Sequence, residues 1–327
     1  MKNKPTIILT GSQVSDLLPL EECIGAVENA FKLYAQGKIT PPGILGIHVA
    51  EGGYHIKAGV IDHFVAKANA NFPLNPKQYE LPTIQGVVTV YDKNNGQLLA
   101  LMDSIQVTII RTGAATAVAA KYLSREDAQT VSIIGCGAQG RISVKMLQKV
   151  RPKLRTVYAF DTDEKATSDF SKELENQGLE IKIVDDFREG LSDSDICVTC
   201  TTVRKPFLAE KDLPEGIFVA AVGSDSEEKN ELFPEVLSSN KVVTDVTDQC
   251  ESIGELNHAI EAGQMKSKDV HAELGEIICG KKKGRLSSDE IIIFDSTGTG
   301  LQDVAAASII YAKAEKDKVG HQVFFNS

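Results

Sequence analysis

Several features are missing from this sequence, and each absence removes a class of function. No apolar run approaches the ~20 residues that a membrane-spanning helix requires, so a helical membrane protein is excluded. The stretch MKNKPTIILTGSQ has three consecutive aliphatic residues before polar ones return. That is too short for a signal-peptide core, and the expected location is the cytoplasm. Excess positive charge is also missing: 35 Lys and Arg stand against 45 Asp and Glu, a formal net charge of −10. Such a chain repels nucleic acid and anionic membrane unless it carries a local basic stripe. The dense basic run Lys281-Lys282-Lys283-Gly284-Arg285 lies between a helical pattern and a strand and reads as a solvated loop. Neither nucleic acid nor membrane is an expected partner.

A cysteine framework is missing too. Six cysteines are scattered through the chain, too sparsely for a disulfide scaffold. Cys197 and Cys200 have the spacing of a redox or zinc pair, but they lie in a strand pattern, where positions i and i+3 face opposite sides. They read as two buried small side chains, and no metal site is expected.

What is present is a globular composition, 42% hydrophobic and 24% charged, in 327 residues. That length suffices for two domains. After a short strand over 6–10, Pro19 opens a helix whose apolar residues Ile24, Val27, Phe31 and Tyr34 recur at helical spacing until Gly37. From 44 to 103 the pattern turns to strands, at 44–49, 53–59, 63–69, 84–91 and 97–102, with a turn at 92–96. This predicts a mainly antiparallel sheet. An alanine-rich helix follows over 111–123. Strands near 131–134, 156–160, 180–183, 195–200, 217–222, 241–245 and 290–294 then alternate with helical patterns. Alternation of that kind predicts an α/β, Rossmann-type, doubly wound parallel sheet. The expected organisation is an α+β domain over 1–123 and a nucleotide-binding domain over 124–300. A last helix, about 301–315, belongs to a C-terminal segment, 301–327, expected to pack back on the first domain.

Gly135-Cys-Gly-Ala-Gln-Gly140 is the sharpest motif. It fits G-x-G-x-x-G, follows a strand and precedes a helix. The first glycine permits the tight turn, the second lets backbone approach a pyrophosphate, and the third lets helix pack on strand. Ala138 and Gln139 lie in the first turn of that helix, where free N–H groups favour phosphate. A second strand ends in Asp161, at the distance where an acidic residue accepts hydrogen bonds from the ribose hydroxyls of NAD. Asp163 and Glu164 add negative charge, so NAD is favoured over NADP. Asp161 also reads as an N-cap for the next helix.

Ligands of open α/β sheets sit beyond the strand C-termini. Asp225 lies just past the strand at 218–222, in reach of the nicotinamide end, although a loop aspartate is by default a turn or cap residue. The first domain supplies cations. His55 and Lys57 share a face of one strand, Lys67 and Asn69 share a face of the next, and Arg111 opens its helix. Two lysines and an arginine of this kind are suited to clamping one carboxylate.

These pieces together resemble the ornithine cyclodeaminase/mu-crystallin family over nearly the whole chain. The matching stretches are Lys67 with Asn71-Phe-Pro-Leu-Asn75, Leu81 to Gly86, Met102-Asp103, Arg111 to Ala115, Gly135 to Gly140, Ala221 to Asp225 with Lys229 and Glu231-Leu232, and Phe294 to Gly298 with Asp303. The resemblance implies an N-terminal domain that binds substrate and forms a homodimer. It implies hydride transfer between nicotinamide and the α-carbon of an amino or imino acid. Lys67 and Arg111 would hold the substrate carboxylate, Lys67 and Asp225 would be catalytic, and Ser296 to Gly298 would lie by the nicotinamide. Thr112, Thr201 and Val222 complete the expected cofactor set. One departure is that Gly43 follows Pro41-Pro42, where many members have a carboxylate-gripping arginine; Lys57, with His55, is the expected replacement. Tyr54 or a neighbour stands where cyclodeaminases have a glutamate. Three readings follow: an amino-acid dehydrogenase or imine reductase, favoured by Gly43 and Tyr54; a cyclodeaminase releasing ammonia with catalytic NAD; and a binding protein on a retired enzyme scaffold.

Overall fold

In the computed structural model, residues 4–325 are described. The chain forms two compact units, one of residues 1–111 with 299–327, the other of residues 112–298.

The first unit begins with β1 (Thr6–Leu9), α1 (Gly11–Leu17) and α2 (Leu20–Ala35). Then come β2 (Gly43–Val49), β3 (Gly52–Val60), β4 (His63–Asn71), the single turn α3 (Asn75–Gln78), β5 (Ile84–Asp92) and β6 (Leu98–Asp103). Helix α4 (Ser104–Leu123) starts here and continues into the second unit. Strands β2 to β6 form an antiparallel meander. β1 joins beyond β6 in parallel.

Period-two alternation sorts the meander's side chains. His55, Lys57, Val65, Lys67, Val88 and Val90 face one side. Tyr54, Ile56, Phe64, Ala68 and Val87 face the other, and the four large ones are 37–47% exposed.

The helix expected over 111–123 starts seven residues earlier, at Ser104. Val107-Thr-Ile-Ile110 has strand propensity, but Val107 and Ile110 are buried in the helix, and packing overrides the local preference. Arg111 therefore sits two turns inside α4. The expectation that it opens its helix is corrected.

In the second unit, β7 (Thr130–Ile134), α5 (Ala138–Val150), β8 (Thr156–Phe160), α6 (Glu164–Leu174), β9 (Glu180–Ile183), α7 (Phe187–Leu191), β10 (Ile196–Thr199) and β11 (Phe218–Ala221) follow in order. Next are α8 (Pro234–Ser238), β12 (Lys241–Thr244), α9 (Thr247–Ile253), α10 (Glu255–Glu261), β13 (Ala272–Glu273), α11 (Leu274–Ile278) and β14 (Ile292–Asp295). The eight strands are ordered β13-β12-β14-β11-β10-β7-β8-β9 and every pairing is parallel. β10 and β11 are buried along their whole length, as expected of strands covered on both faces. From β7 the chain goes to β8 on one side and later to β10 on the other, which makes the β7/β10 boundary the topological switch point.

The chain returns to the first unit with α12 (Gly300–Asp317) and β15 (His321–Val323), the latter antiparallel to β1. Two glycines set the approach of α12. A Cβ on Gly300 would lie 2.3 Å from the Ala58 carbonyl, and one on Gly59 would meet Val304 at 3.2 Å. Without them α12 would stand off from β3, and Gln302 and Asp303 with it. α2 packs over α12.

Lys281, Lys282 and Lys283 are exposed in a loop, as the sequence suggested. None of the six cysteines forms a disulfide. Cys197 is fully buried and Cys200 half-buried, and burial pushes both thiols up, which makes them unreactive. Among the described residues no helix is long and apolar enough to cross a membrane, and no group of three or more His, Cys, Asp or Glu is arranged to hold a metal ion.

Candidate active site

Each unit carries one part of the predicted chemistry. In the second, β7 runs into the glycine turn. Gly135 has φ +108°, the region open to glycine, and a Cβ there would lie 2.8 Å from the Cys200 carbonyl. A Cβ on Gly140 would lie 2.2 Å from the Gly135 carbonyl, so α5 seats on the turn only because that residue is glycine. At Gly137 the situation reverses: nothing lies within 4 Å of an added Cβ. Gly137 is the N-cap of the thirteen-residue helix α5 and no side chain caps it. Open space over uncapped N–H groups at a helix start, on the switch point, is a cradle for an anion such as a pyrophosphate. Beside it, Gln139 Oε1 is buried without a hydrogen-bond partner. These residues fit a dinucleotide.

Asp161 accepts from the Cys136 N–H at 2.8 Å through Oδ2 and from the Asp163 N–H at 3.0 Å through Oδ1. The N-cap of α6 is Asp163, which accepts from Lys165 N–H at 2.9 Å. That corrects the N-cap reading of Asp161. Its carboxylate ties β8 to the glycine turn and retains lone pairs for ribose hydroxyls.

Thr201, Val222, Asp225, Ser296 and Gly298 all lie beyond strand C-termini, and buried acids to which sequence reasoning gave no role organise them. Glu231 is fully buried. It accepts from Thr199 Oγ1 at 2.7 Å, Thr201 N–H at 2.6 Å, Thr201 Oγ1 at 2.7 Å and Gly223 N–H at 3.1 Å. Burial still raises its pKa against those bonds. Asp245 accepts from Thr297 Oγ1 at 3.1 Å and Gly298 N–H at 2.8 Å. Glu255 accepts from Asn230 Nδ2 and the N–H groups of Glu231 and Leu232, and burial pushes it well up. Burial likewise lifts Asp295 to about 7. Asp225 pairs with Lys229 Nζ at 2.6 Å. Thr112 is buried in α4, and its carbonyl accepts from Thr116 Oγ1.

The first unit holds the cations. Lys57 and Lys67 are opposite each other on β3 and β4. Lys57, Lys67 and Arg111 are each 3–5% exposed, burial that these residue types rarely tolerate unless paired. The partner is Asp303 on α12. Its Oδ1 accepts from Lys67 Nζ at 2.7 Å and from Arg111 Nε at 3.0 Å. Arg111 Nη1 donates to Gln302 Oε1 at 2.7 Å. Burial, then the Arg111 charge, lowers the Lys67 ammonium to about 7 against the pull of Asp303. Burial acts to raise the Asp303 carboxyl, but the Lys67, Arg111 and Lys57 charges outweigh it and hold it below the ordinary value. His55 lies two residues from Lys57, edge-on to the His48 ring. Lys57, Lys67 and Arg111 thus form one electrostatic group, and His55 lies beside it. Asp303, at its centre, was legible only as part of a motif.

The Ornithine cyclodeaminase/mu-crystallin family model matches residues 4–318. The chain belongs to this family. It is 37% identical over 321 residues to an alanine dehydrogenase of Archaeoglobus fulgidus, covering 98% of each chain. Among solved structures it superposes on an archaeal alanine dehydrogenase dimer with bound NAD at a TM-score of 0.94, with 36% identity and coverage of 98% and 99%. It also superposes on the Thermococcus litoralis Delta(1)-pyrroline-2-carboxylate reductase in complex with NADH and L-proline at 0.92, with 30% identity and coverage of 97% and 100%.

Proposed function

We propose that this family member is an NAD-dependent oxidoreductase that moves a hydride between the nicotinamide and the α-carbon of an amino or imino acid. The observation that carries this reading is the pairing of a dinucleotide cradle in one unit with a buried Lys67–Arg111–Asp303 cluster in the other. The names of the relatives, dehydrogenases and reductases of amino and imino acids, support it.

Gly135, Gly137, Ala138, Gln139 and Gly140 hold the pyrophosphate, and Asp161 takes the ribose hydroxyls. Asp161 with the neighbouring Asp163 and Glu164 disfavours a 2′-phosphate, so the cofactor is NAD. Bound NAD supplies the hydride acceptor, or its reduced form the donor. Thr112, Thr201, Val222, Ser296 and Gly298 line its remaining length. Lys67 and Arg111 bind the substrate carboxylate, which fixes the α-carbon in one orientation. α12 uses Arg111 Nε and Nη1, so Nη2 serves the ligand. Lys57, with His55, replaces the family arginine that Gly43 lacks. Lys67, lowered to about 7, exchanges a proton readily near neutral pH and is suited to acid–base work. Asp225 is the acid/base at the substrate nitrogen or at the attacking water.

The protein is a cytoplasmic homodimer in this reading. Leu45, Ile56, Ala68 and Val87 form one row across the outer sheet face, and Ile47, Tyr54 and Ala70 the next. Five of these seven side chains are 37–53% exposed and apolar. A contiguous apolar face of this kind suits a second copy of the chain, and the archaeal relative is a dimer.

NADH absorbance tests the function. The panel is 2-oxo acids with ammonium or methylamine and the cyclic imines of five- and six-membered imino acids. Consumption is expected with at least one member. Ammonia release from ornithine or lysine without net NADH change makes the enzyme a cyclodeaminase instead.

A further inference from the structure

The Lys67 face of the sheet carries more polar groups than carboxylate binding uses. On β4, Lys67, Asn69 and Asn71 alternate on that face. On α4, Ser104, Thr108 and Arg111 stand at i, i+4 and i+7, along one stripe. The two rows meet at the cationic end through Asp303, which bonds both Lys67 and Arg111. They meet again at Gly86, the residue opposite Asn69 on β5. A Cβ on Gly86 would lie 2.4 Å from Asn69 Oδ1 and 2.7 Å from Ser104 Oγ. Both oxygens therefore stand over the same Cα, and any larger residue there would displace them.

None of the far-end oxygens is used. Asn69 Oδ1, Asn71 Oδ1, Ser104 Oγ and Thr108 Oγ1 are all buried without a hydrogen-bond partner. Ser104 is fully buried. Its hydroxyl is not spent on capping α4, because Asp103 Oδ1 takes the Gln106 N–H at 3.0 Å. Leaving a buried polar atom unsatisfied is costly, and such atoms are rare enough that four on one face call for an occupant. Two of them are amide oxygens, which only accept; the two hydroxyls donate or accept. The complement is a group with its own N–H or O–H, and the buried cations Lys57, Lys67 and Arg111 nearby favour a neutral one over an ammonium. Asn69 lies two residues along the strand from Lys67, about 7 Å at the strand rise, the reach from an α-carboxylate to the end of a short side chain.

We propose that Asn69, Ser104 and Thr108 form a side-chain subsite that selects amino or imino acids ending in a hydroxyl or carboxamide. This rests on the carboxylate being held at Lys67 and Arg111. An apolar substrate side chain would leave the same oxygens unsatisfied, which is how a polar site rejects an isostere lacking the partner.

The test uses matched isosteres as substrates with NAD: L-homoserine against L-norvaline, and L-asparagine against L-leucine and L-aspartate. The wild-type kcat/KM is expected to favour homoserine over norvaline, or asparagine over leucine, by about tenfold or more. In Asn69→Val and Ser104→Ala that ratio is expected to fall to within about twofold of one. Which pair shows the preference distinguishes hydroxyl from carboxamide. A wild-type preference for the hydrocarbon member or for aspartate overturns the subsite, as does a polar preference that survives both substitutions. If no amino acid is turned over in either direction, the proposed activity fails separately. The subsite is then judged by ligand-induced Tm shifts with NAD present. A larger shift for the polar isostere, lost in Asn69→Val, supports it, and equal shifts overturn it.

Discussion

The two units bury charge in opposite ways. The first buries three cations, Lys57, Lys67 and Arg111, around the carboxylate of Asp303. The second buries four acids, Glu231, Asp245, Glu255 and Asp295, and satisfies them largely with backbone N–H groups, hydroxyls and an amide. Desolvation opposes charge in both places, but the outcomes differ. In the first unit the cations hold Asp303 ionised while burial eases the Lys67 proton off towards neutral pH, and donors remain for a ligand. In the second, burial raises the pKa of Glu231, Glu255 and Asp295, and all four acids act as struts between strand ends. A buried ionisable group is therefore not by itself a catalytic candidate; what its partners leave unused decides.

The largest effect should come from removing the anion that the first unit depends on. Asp303→Ala leaves two buried cations without their shared partner, and such a loss typically costs ~3–5 kcal/mol. Urea unfolding would measure it. Glu255→Gln keeps one oxygen, enough for the Asn230 and Leu232 donors but not for the Glu231 N–H as well; with no charge stranded it should still cost less than Asp303→Ala, and equal losses would erase the contrast between the units.

Asp225→Asn should lower kcat by ~10²–10⁴, the usual contribution of a general acid or base. A loss of only a few-fold would make Asp225 a loop residue held by Lys229.

The lowered Lys67 pKa makes a third, smaller test. An anionic substrate needs the ammonium form, so kcat/KM should decline as pH rises through about 7. The charges facing Lys67 are Arg111, Asp303 and Lys57. Lys57→Met removes a cation that lowers Lys67, so the falling limb should move to higher pH. An unmoved limb would assign the titration to another group.

The smallest effect is expected at Asp295. Its folded pKa, about 7, lies above the ordinary 3.8. The folded state therefore holds the proton more tightly, and the associated stability, present at low pH, is lost as pH rises from about 4 through 7. Asp295→Asn removes that loss and retains an oxygen for the Leu256 N–H. Its Tm gain over wild type should be larger at pH 8 than at pH 5.

Much of the cofactor half was readable in advance because its signals are local. A glycine turn, the strand before it, the helix after it and Asp161 lie within 32 residues of one another. The strand pattern likewise put His55 with Lys57, and Lys67 with Asn69, on shared faces of neighbouring strands, while the register that sets Lys57 opposite Lys67 came from the structure. Helix α4 was misread at its start because a β-branched run has no helical signature of its own. The acids of the second unit look in sequence like ordinary loop or cap residues. Asp303 lies 236 positions from Lys67, and nothing local joins them.

By itself the sequence determined the alternation that makes the parallel sheet, the turn that accepts a dinucleotide and the residue types available for acid–base work. Only the tertiary structure decided which of those residues lose their water and which charges they then meet. Periodicity and turn chemistry are written in neighbouring residues. Desolvation and charge pairing depend on segments far apart in the chain, here α12 brought against β3 and β4 through Gly59 and Gly300.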